Sequence, residues 1–137
     1  MSENDEELSD ADYAALAAFR YALRKFQAFS EAHAALAGLT PQQHQVLLAI
    51  RATEPDQATV GFVAERLILK PHSATGLIDR LEDLGLVIRK TSAQDRRRTV
   101  LHLTEQAHAI LAELSAVHRE EIRGLHTYLS EILTPLV

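Results

Sequence analysis

Apolar positions recur along this chain with two different periods, and the change of period divides it. From Asp10 to Ala37, Leu16, Phe19, Leu23, Phe26 and, more loosely, Leu36 fall along one side of a helix, which Gly38 ends. Thr40-Pro41-Gln42-Gln43 reads as a capping box, with Thr at the cap, Pro in the first turn and Gln at the third position. It opens a helix carrying Val46, Leu47 and Ile50 that fades by Glu54-Pro55. Thr59-Val60 is a candidate for a small third strand. Two short helical patterns follow, joined by a tight connection at Leu69-Lys70. In the second, Ala74, Leu77, Ile78, Leu81 and Leu84 make one apolar stripe. His72, Ser73, Thr75, Gly76, Asp79, Arg80 and Asp83 fall outside it. Pro71 suits a first helical position and Gly85 the left-handed position just past the end. The period then shortens to two: Leu86 and Ile88, then Leu101 and Leu103, alternate with more polar positions, as strands with one packed face do. Thr104 caps a long helix along Ala107, Ile110, Leu111, Leu114 and Val117 to about Arg123. Gly124 is the expected stop, and Leu125, Leu129, Ile132 and Leu133 make a short final helix before Pro135.

Helix, turn, helix, then a hairpin is the layout of a winged helix-turn-helix, mostly α with a small β wing. The 137 residues read as one domain, with a winged core over about 40–104 and flanking helices over about 10–37 and 104–137. The flanking stripes lie far in sequence from that core and are too long for it to cover. A helix apolar along one side and polar along the other finds a partner, so a second copy of the chain is expected there.

Composition narrows the chemistry. Hydrophobic residues make up 47% and aromatics 5%, with no cysteine, which excludes a disulfide scaffold, a thiolate metal site and a cysteine redox sensor. No apolar run reaches the roughly 18 residues of a membrane span, and the acidic N-terminus, expected to fray to about Ser9, is unlike a signal peptide. A cytoplasmic location is therefore expected. The net charge of −5 is unevenly spread: residues 60–104 carry +3, and the remainder −8, with six acids in the first twelve residues. Exposed charges act over roughly 10 Å, so a phosphate backbone would meet the local basic cluster rather than the net charge. Arg96, Arg97 and Arg98 stand together at the expected hairpin tip.

The early turns of the second short helix hold Lys70, Pro71, His72, Ser73, Thr75 and Gly76, short or polar side chains of the kind that enter a major groove. A mid-helix glycine costs about 1 kcal/mol relative to alanine. Gly76 therefore implies either close approach of another molecule or relief of an internal clash. Arg80 and Arg89 read equally as phosphate contacts or as salt-bridge residues. No phosphate loop, nucleophile elbow or carboxylate cluster outside the acidic tail suggests an enzyme, and no cofactor is expected.

Leu77-Ile78-Asp79-Arg80-Leu81-Glu82, then Gly85-Leu86-Val87-Ile88-Arg89, then Asp95-Arg96-Arg97-Arg98-Thr99-Val100-Leu101-His102-Leu103-Thr104, resemble the MarR family of bacterial transcription regulators. The resemblance covers nearly the whole chain. It implies a homodimer whose first and last helices interlock, with Leu16, Phe19, Leu23, Leu114, Leu125, Leu129, Ile132 and Leu133 at the interface. It implies double-stranded DNA as partner, a palindromic operator, and repression as the commoner outcome. Asp95 and Arg97 match the family's Asp-x-Arg motif, which sends the arginine into the minor groove with the aspartate orienting it through a bidentate pair. Arg96 and Arg98 would then face phosphates. Thr75 and Arg89 match positions that bind a small aromatic carboxylate in one family member. A phenolic or aromatic acid effector is thus expected there or, alternatively, in a crevice between the winged core and the dimer helices lined by Arg24 and His44.

Two other readings stay open. A winged helix used only for protein interaction would turn Arg96–Arg98 toward an acidic partner and show no preference for DNA sequence. A metal-responsive regulator would use histidines, and His44 and His108 match family positions that do so. The seven histidines, however, include no i,i+4 pair, and Ala112 stands one turn beyond His108, so no metal site is expected.

Overall fold

The computed structural model describes residues 7–137; residues 1–6, most of the segment expected to fray, lie outside them. The order is α1 (Asp10–Leu36), α2 (Pro41–Ala52), α3 (Val60–Leu67), α4 (Pro71–Asp83), β1 (Val87–Thr91), β2 (Thr99–Leu103) and α5 (Glu105–Ile132), closed by a 3₁₀ turn, Thr134–Leu136. Two compact units make up the chain, one of Glu31–Ala116 and one of Met1–Ser30 with Val117–Val137. Among the described residues, no helix is long and apolar enough to cross a membrane.

Local chemistry explains most boundaries. Ser9 and Asp12 start α1 by exchanging side-chain to backbone hydrogen bonds, 2.9 and 3.2 Å. The capping box at Thr40 and Gln43 is present in full. Thr59, a candidate strand residue, instead caps α3 by accepting the Phe62 N–H at 3.1 Å, and Val60 is already helical. The sheet has two strands. A trace of a third survives as a single bond of 2.7 Å from the Leu101 N–H to the Ala58 carbonyl.

Three helices end by the same device, in which a residue at or just after the cap turns left-handed and the next N–H reaches back to the last turn. Leu39 bonds Ala34, Leu69 bonds Ala64, and Leu86 bonds Leu81, at 2.9, 2.8 and 3.0 Å. The left-handed positions are Gly38, Ile68 and Gly85, with φ of 79°, 54° and 75°. In the third case, Leu86 belongs to the turn and seals against Leu81 in the core. The strand alternation therefore starts one residue later than the sequence pattern suggests: Val87 is buried and Ile88 exposed. Leu84, expected on the α4 stripe, is the cap and stands half exposed.

The core of the winged unit joins Val46, Leu47 and Ile50 of α2, Val63 of α3, Leu77, Ile78 and Leu81 of α4, Val87 and Leu101 of the hairpin, and Leu111 and Leu114 of α5. Leu114, expected at a subunit interface, is instead buried in this core. β1 and β2 pair antiparallel, with Val87 opposite Leu103 and Thr91 opposite Thr99. Thr104 caps α5 through the Ala107 N–H at 3.2 Å and donates its hydroxyl to the Gly85 carbonyl at 2.8 Å, tying that helix to the end of α4.

In the other unit, His118 stacks edge-on against Phe26 and Phe29 and shares a 2.8 Å hydrogen bond with Ser30. The expected break at Gly124 does not occur, because α5 runs unbroken to Ile132. On α1, Ala15 and Ala22 are buried within the chain, while Leu16 and Leu23, expected to meet a second subunit, are exposed. Phe19, Leu125, Leu129, Ile132 and Leu133 are half-buried.

Candidate nucleic-acid interface

The start of α4 is built to present side chains outward. Pro71 occupies its first turn, where a missing N–H costs nothing, and Ala74, Leu77, Ile78 and Leu81 fix the opposite face in the core. Lys70, Pro71, His72, Ser73, Thr75, Gly76 and Arg80 are all exposed. The Thr75 hydroxyl donates to the Pro71 carbonyl at 3.0 Å, which leaves its oxygen free to accept from an incoming donor. A Cβ built on Gly76 would meet no atom within 4 Å, so no internal clash requires glycine there. Arg80 makes no ion pair among the described residues.

The hairpin tip is held by its backbone. The Ser92 N–H donates to the Arg98 carbonyl at 2.9 Å, and the Arg98 N–H to the Asp95 carbonyl at 3.0 Å. Asp95 acts differently from the expected bidentate partner. Its Oδ1 accepts the Arg97 backbone N–H at 3.0 Å and lies 3.8 Å from the Arg97 Nε. The carboxylate shapes the turn and pairs loosely with the Arg97 side chain, which is 95% exposed. Arg96 is exposed and Arg98 half-buried.

Arg89 is a salt-bridge residue. Its Nη2 lies 2.7 Å from Asp79 Oδ1 and its Nη1 3.1 Å from Glu82 Oε1, so one guanidinium joins β1 to two turns of α4. Burial opposes its charge, and the hydrogen bonds and field of the two carboxylates outweigh that, holding the group above its ordinary value. The expected phosphate or effector contact would first have to separate it from both acids.

The residues expected at the two alternative effector sites stand on separate elements. His44 is buried on α2 and Thr75 stands on α4, with Arg89 tied down on β1, while Arg24 is exposed in the other unit. Two clefts lie elsewhere. One, of about 220 Å³, is bounded by Arg51, Asp56, His102 and His108 in the winged unit; the other, of about 200 Å³, by Phe26, Gly124 and Tyr128. Both are smaller than the roughly 300–1,000 Å³ of drug-sized ligand sites.

Sequence reading missed Ser92 and Asp56. Ser92 is 3% exposed, and its hydroxyl bonds Asp56 Oδ2 at 2.6 Å while accepting the N–H groups of Gln94 and Asp95. The available signals were a serine three residues before Asp95 and an aspartate after Pro55, both turn formers, with nothing local to link them.

An exposed polar helix start and a cationic hairpin tip in one compact unit, after a helix-turn-helix, define a winged helix-turn-helix. Residues 37–98 match the family model described as MarR family. Solved structures agree in fold. The DNA complex of MepR from S. aureus is 22% identical, covers 91% of this chain and 88% of its own, and has a TM-score of 0.70. AbsC, a MarR family transcriptional regulator from Streptomyces coelicolor, is 22% identical over 94% of this chain and 93% of its own, at 0.71. CouR from Rhodococcus jostii, bound to p-coumaroyl-CoA, is 21% identical over 81% of this chain and 85% of its own, at 0.63.

Proposed function

We propose that this protein is a MarR-family transcription regulator, a homodimeric repressor that binds an imperfect palindrome in double-stranded DNA and is released by a small phenolic or aromatic acid. The observation that carries the reading is the joint exposure of the α4 start and the arginine tip on one unit. α4 would lie in the major groove with His72, Ser73 and Thr75 near base edges. Arg97 would enter the flanking minor groove, where a narrow A·T-rich stretch concentrates negative potential. Lys70, Arg80, Arg96 and Arg98 would meet phosphates. Arg89 and Asp95 would shape the surface rather than touch it. MepR in its DNA complex offers a precedent for the fold on DNA.

The dimer is supported by large apolar side chains left exposed in the unit of terminal helices, among them Leu8, Tyr13, Leu16, Leu23, Ile122 and Tyr128. Sedimentation at micromolar concentration should return about twice the 15.2 kDa chain mass. A folded monomer at every concentration would remove the two-subunit arrangement. The effector class is supported by the aromatic acyl ligand of CouR. A panel of phenolic acids should contain members that stabilise the protein to heat and lower its DNA affinity, and a panel with neither effect would count against that class. Competition between selected and random duplex tests DNA recognition itself, and equal competition would favour the protein-interaction reading.

A further inference from the structure

The Ser92 hydroxyl is saturated. Its two lone pairs accept the Gln94 and Asp95 N–H groups at 3.2 and 3.1 Å, so its single proton must go to Asp56 Oδ2, at 2.6 Å. That length is typical of an O–H to carboxylate bond, roughly twice as strong as a neutral one. Asp56 lies in the connection between α2 and α3, 36 residues away, and holds a left-handed backbone with φ of 68°. The same connection grips β2 through the Ala58 carbonyl and the Leu101 N–H, at 2.7 Å. The hairpin is therefore anchored to the body of its unit at two heights, at β2 by backbone and at the tip by side chains. Between the tip anchor and Arg97 stands only the turn that Asp95 organises.

We infer that Ser92 and Asp56 are positioning residues for the wing: their bond fixes the turn from which Arg97 projects and so sets how the protein discriminates the sequence flanking its site. The inference rests on the proposed DNA-binding reading and adds to it two residues that touch no DNA. With the anchor gone, the three arginines remain but the turn that aims Arg97 is loose. Phosphate contacts tolerate such looseness better than a side chain that must enter a narrow groove.

The variants follow from the backbone. Asp56→Gly removes the carboxylate at a φ that glycine adopts without strain, Asp56→Asn keeps an acceptor and tolerates the same φ, and Ser92→Ala removes the hydroxyl. Each full-length variant is titrated on the duplex selected by the unaltered protein, with A·T and with G·C flanks, at several salt concentrations. Ser92→Ala and Asp56→Gly should lower the flank preference roughly threefold to tenfold, at or below the value of one good base contact, with the salt slope unchanged. Asp56→Asn should stay within about twofold of the unaltered protein, since it retains an acceptor for the Ser92 proton. Amide exchange at Gln94 and Asp95 without DNA should quicken in Ser92→Ala and Asp56→Gly. If both keep the original flank preference while folded, the inference is overturned. Loss confined to a variant that fails to fold is settled by the other. If the unaltered protein shows no flank preference, the minor-groove reading of Arg97 falls instead, and this inference with it.

Discussion

Gly76 and Arg97 carry the proposed interface at the level of single residues, and for opposite reasons. Gly76 sits in the middle of α4 with open space where a Cβ would go, so its helix-weakening effect has no internal compensation. Gly76→Ala should raise stability by about 0.5–1 kcal/mol and at the same time weaken DNA binding, because the added methyl would stand where a base edge approaches. Thermal melts and duplex titrations on the same preparation check this, and a stabilised variant with unaltered binding would remove Gly76 from the contact. Arg97 projects almost wholly into solvent from a turn whose shape is fixed by Asp95. Arg97→Ala should cost about 1–3 kcal/mol of operator binding and flatten the A·T preference. Arg96→Ala should weaken all sequences alike and reduce the salt slope by about 1. Titrations over a range of salt separate the two patterns; identical behaviour of both variants would contradict the division of labour.

Among the elements, the two short helices and the hairpin are locked together by devices of unequal visibility in the sequence. Caps, prolines and the glycines at 38 and 85 act on their immediate neighbours, so Thr40, Pro71, Gly38 and Gly85 were all legible. Ile68 and Gly124 mislead for one shared reason. The α3–α4 turn demands a left-handed residue and holds Ile68 there, 92% exposed, while the long α5 passes through Gly124 without a break. In both, the surrounding structure overrides the local preference of the residue. Ile68→Gly should therefore stabilise the fold by about 1 kcal/mol, since a β-branched side chain is strained where Gly38 and Gly85 are not, and a melt showing no gain would contradict that. Arg89 illustrates the other limit, because its partners, seven and ten residues away, were visible but not separable from phosphate. Arg89→Ala should cost about 1 kcal/mol of stability and weaken DNA binding with the salt slope intact, as expected of a brace between α4 and the wing. A slope reduced by one phosphate would instead make Arg89 a contact. Because Arg89 is held above its ordinary value, its share of the brace is lost only as pH rises above the ordinary arginine range, so alkaline conditions up to that range should leave the brace in place.

At the scale of the whole molecule, the match of residues 37–98 to the MarR family model goes with two helices that leave large apolar side chains in the open. The wing, the helix that would enter the groove and the family signature were legible because they lie within one continuous stretch. The line of residues that α1 buries within its own chain was not, because alanines at 15 and 22 pack there beside the more conspicuous leucine stripe, and periodicity alone cannot say which of two adjacent stripes a chain covers itself. A dimer with two-fold symmetry would set its two α4 helices about 34 Å apart, in successive major grooves. Selection from a random pool of duplexes by the purified full-length protein, followed by sequencing, measures that claim directly and requires no chosen target. The expected result is enrichment of an imperfect palindrome with half-sites roughly 10 base pairs apart and A·T-rich flanks. A pool that shows no enriched sequence, or a single unrepeated half-site bound by one chain, would contradict two-fold recognition of DNA by this protein.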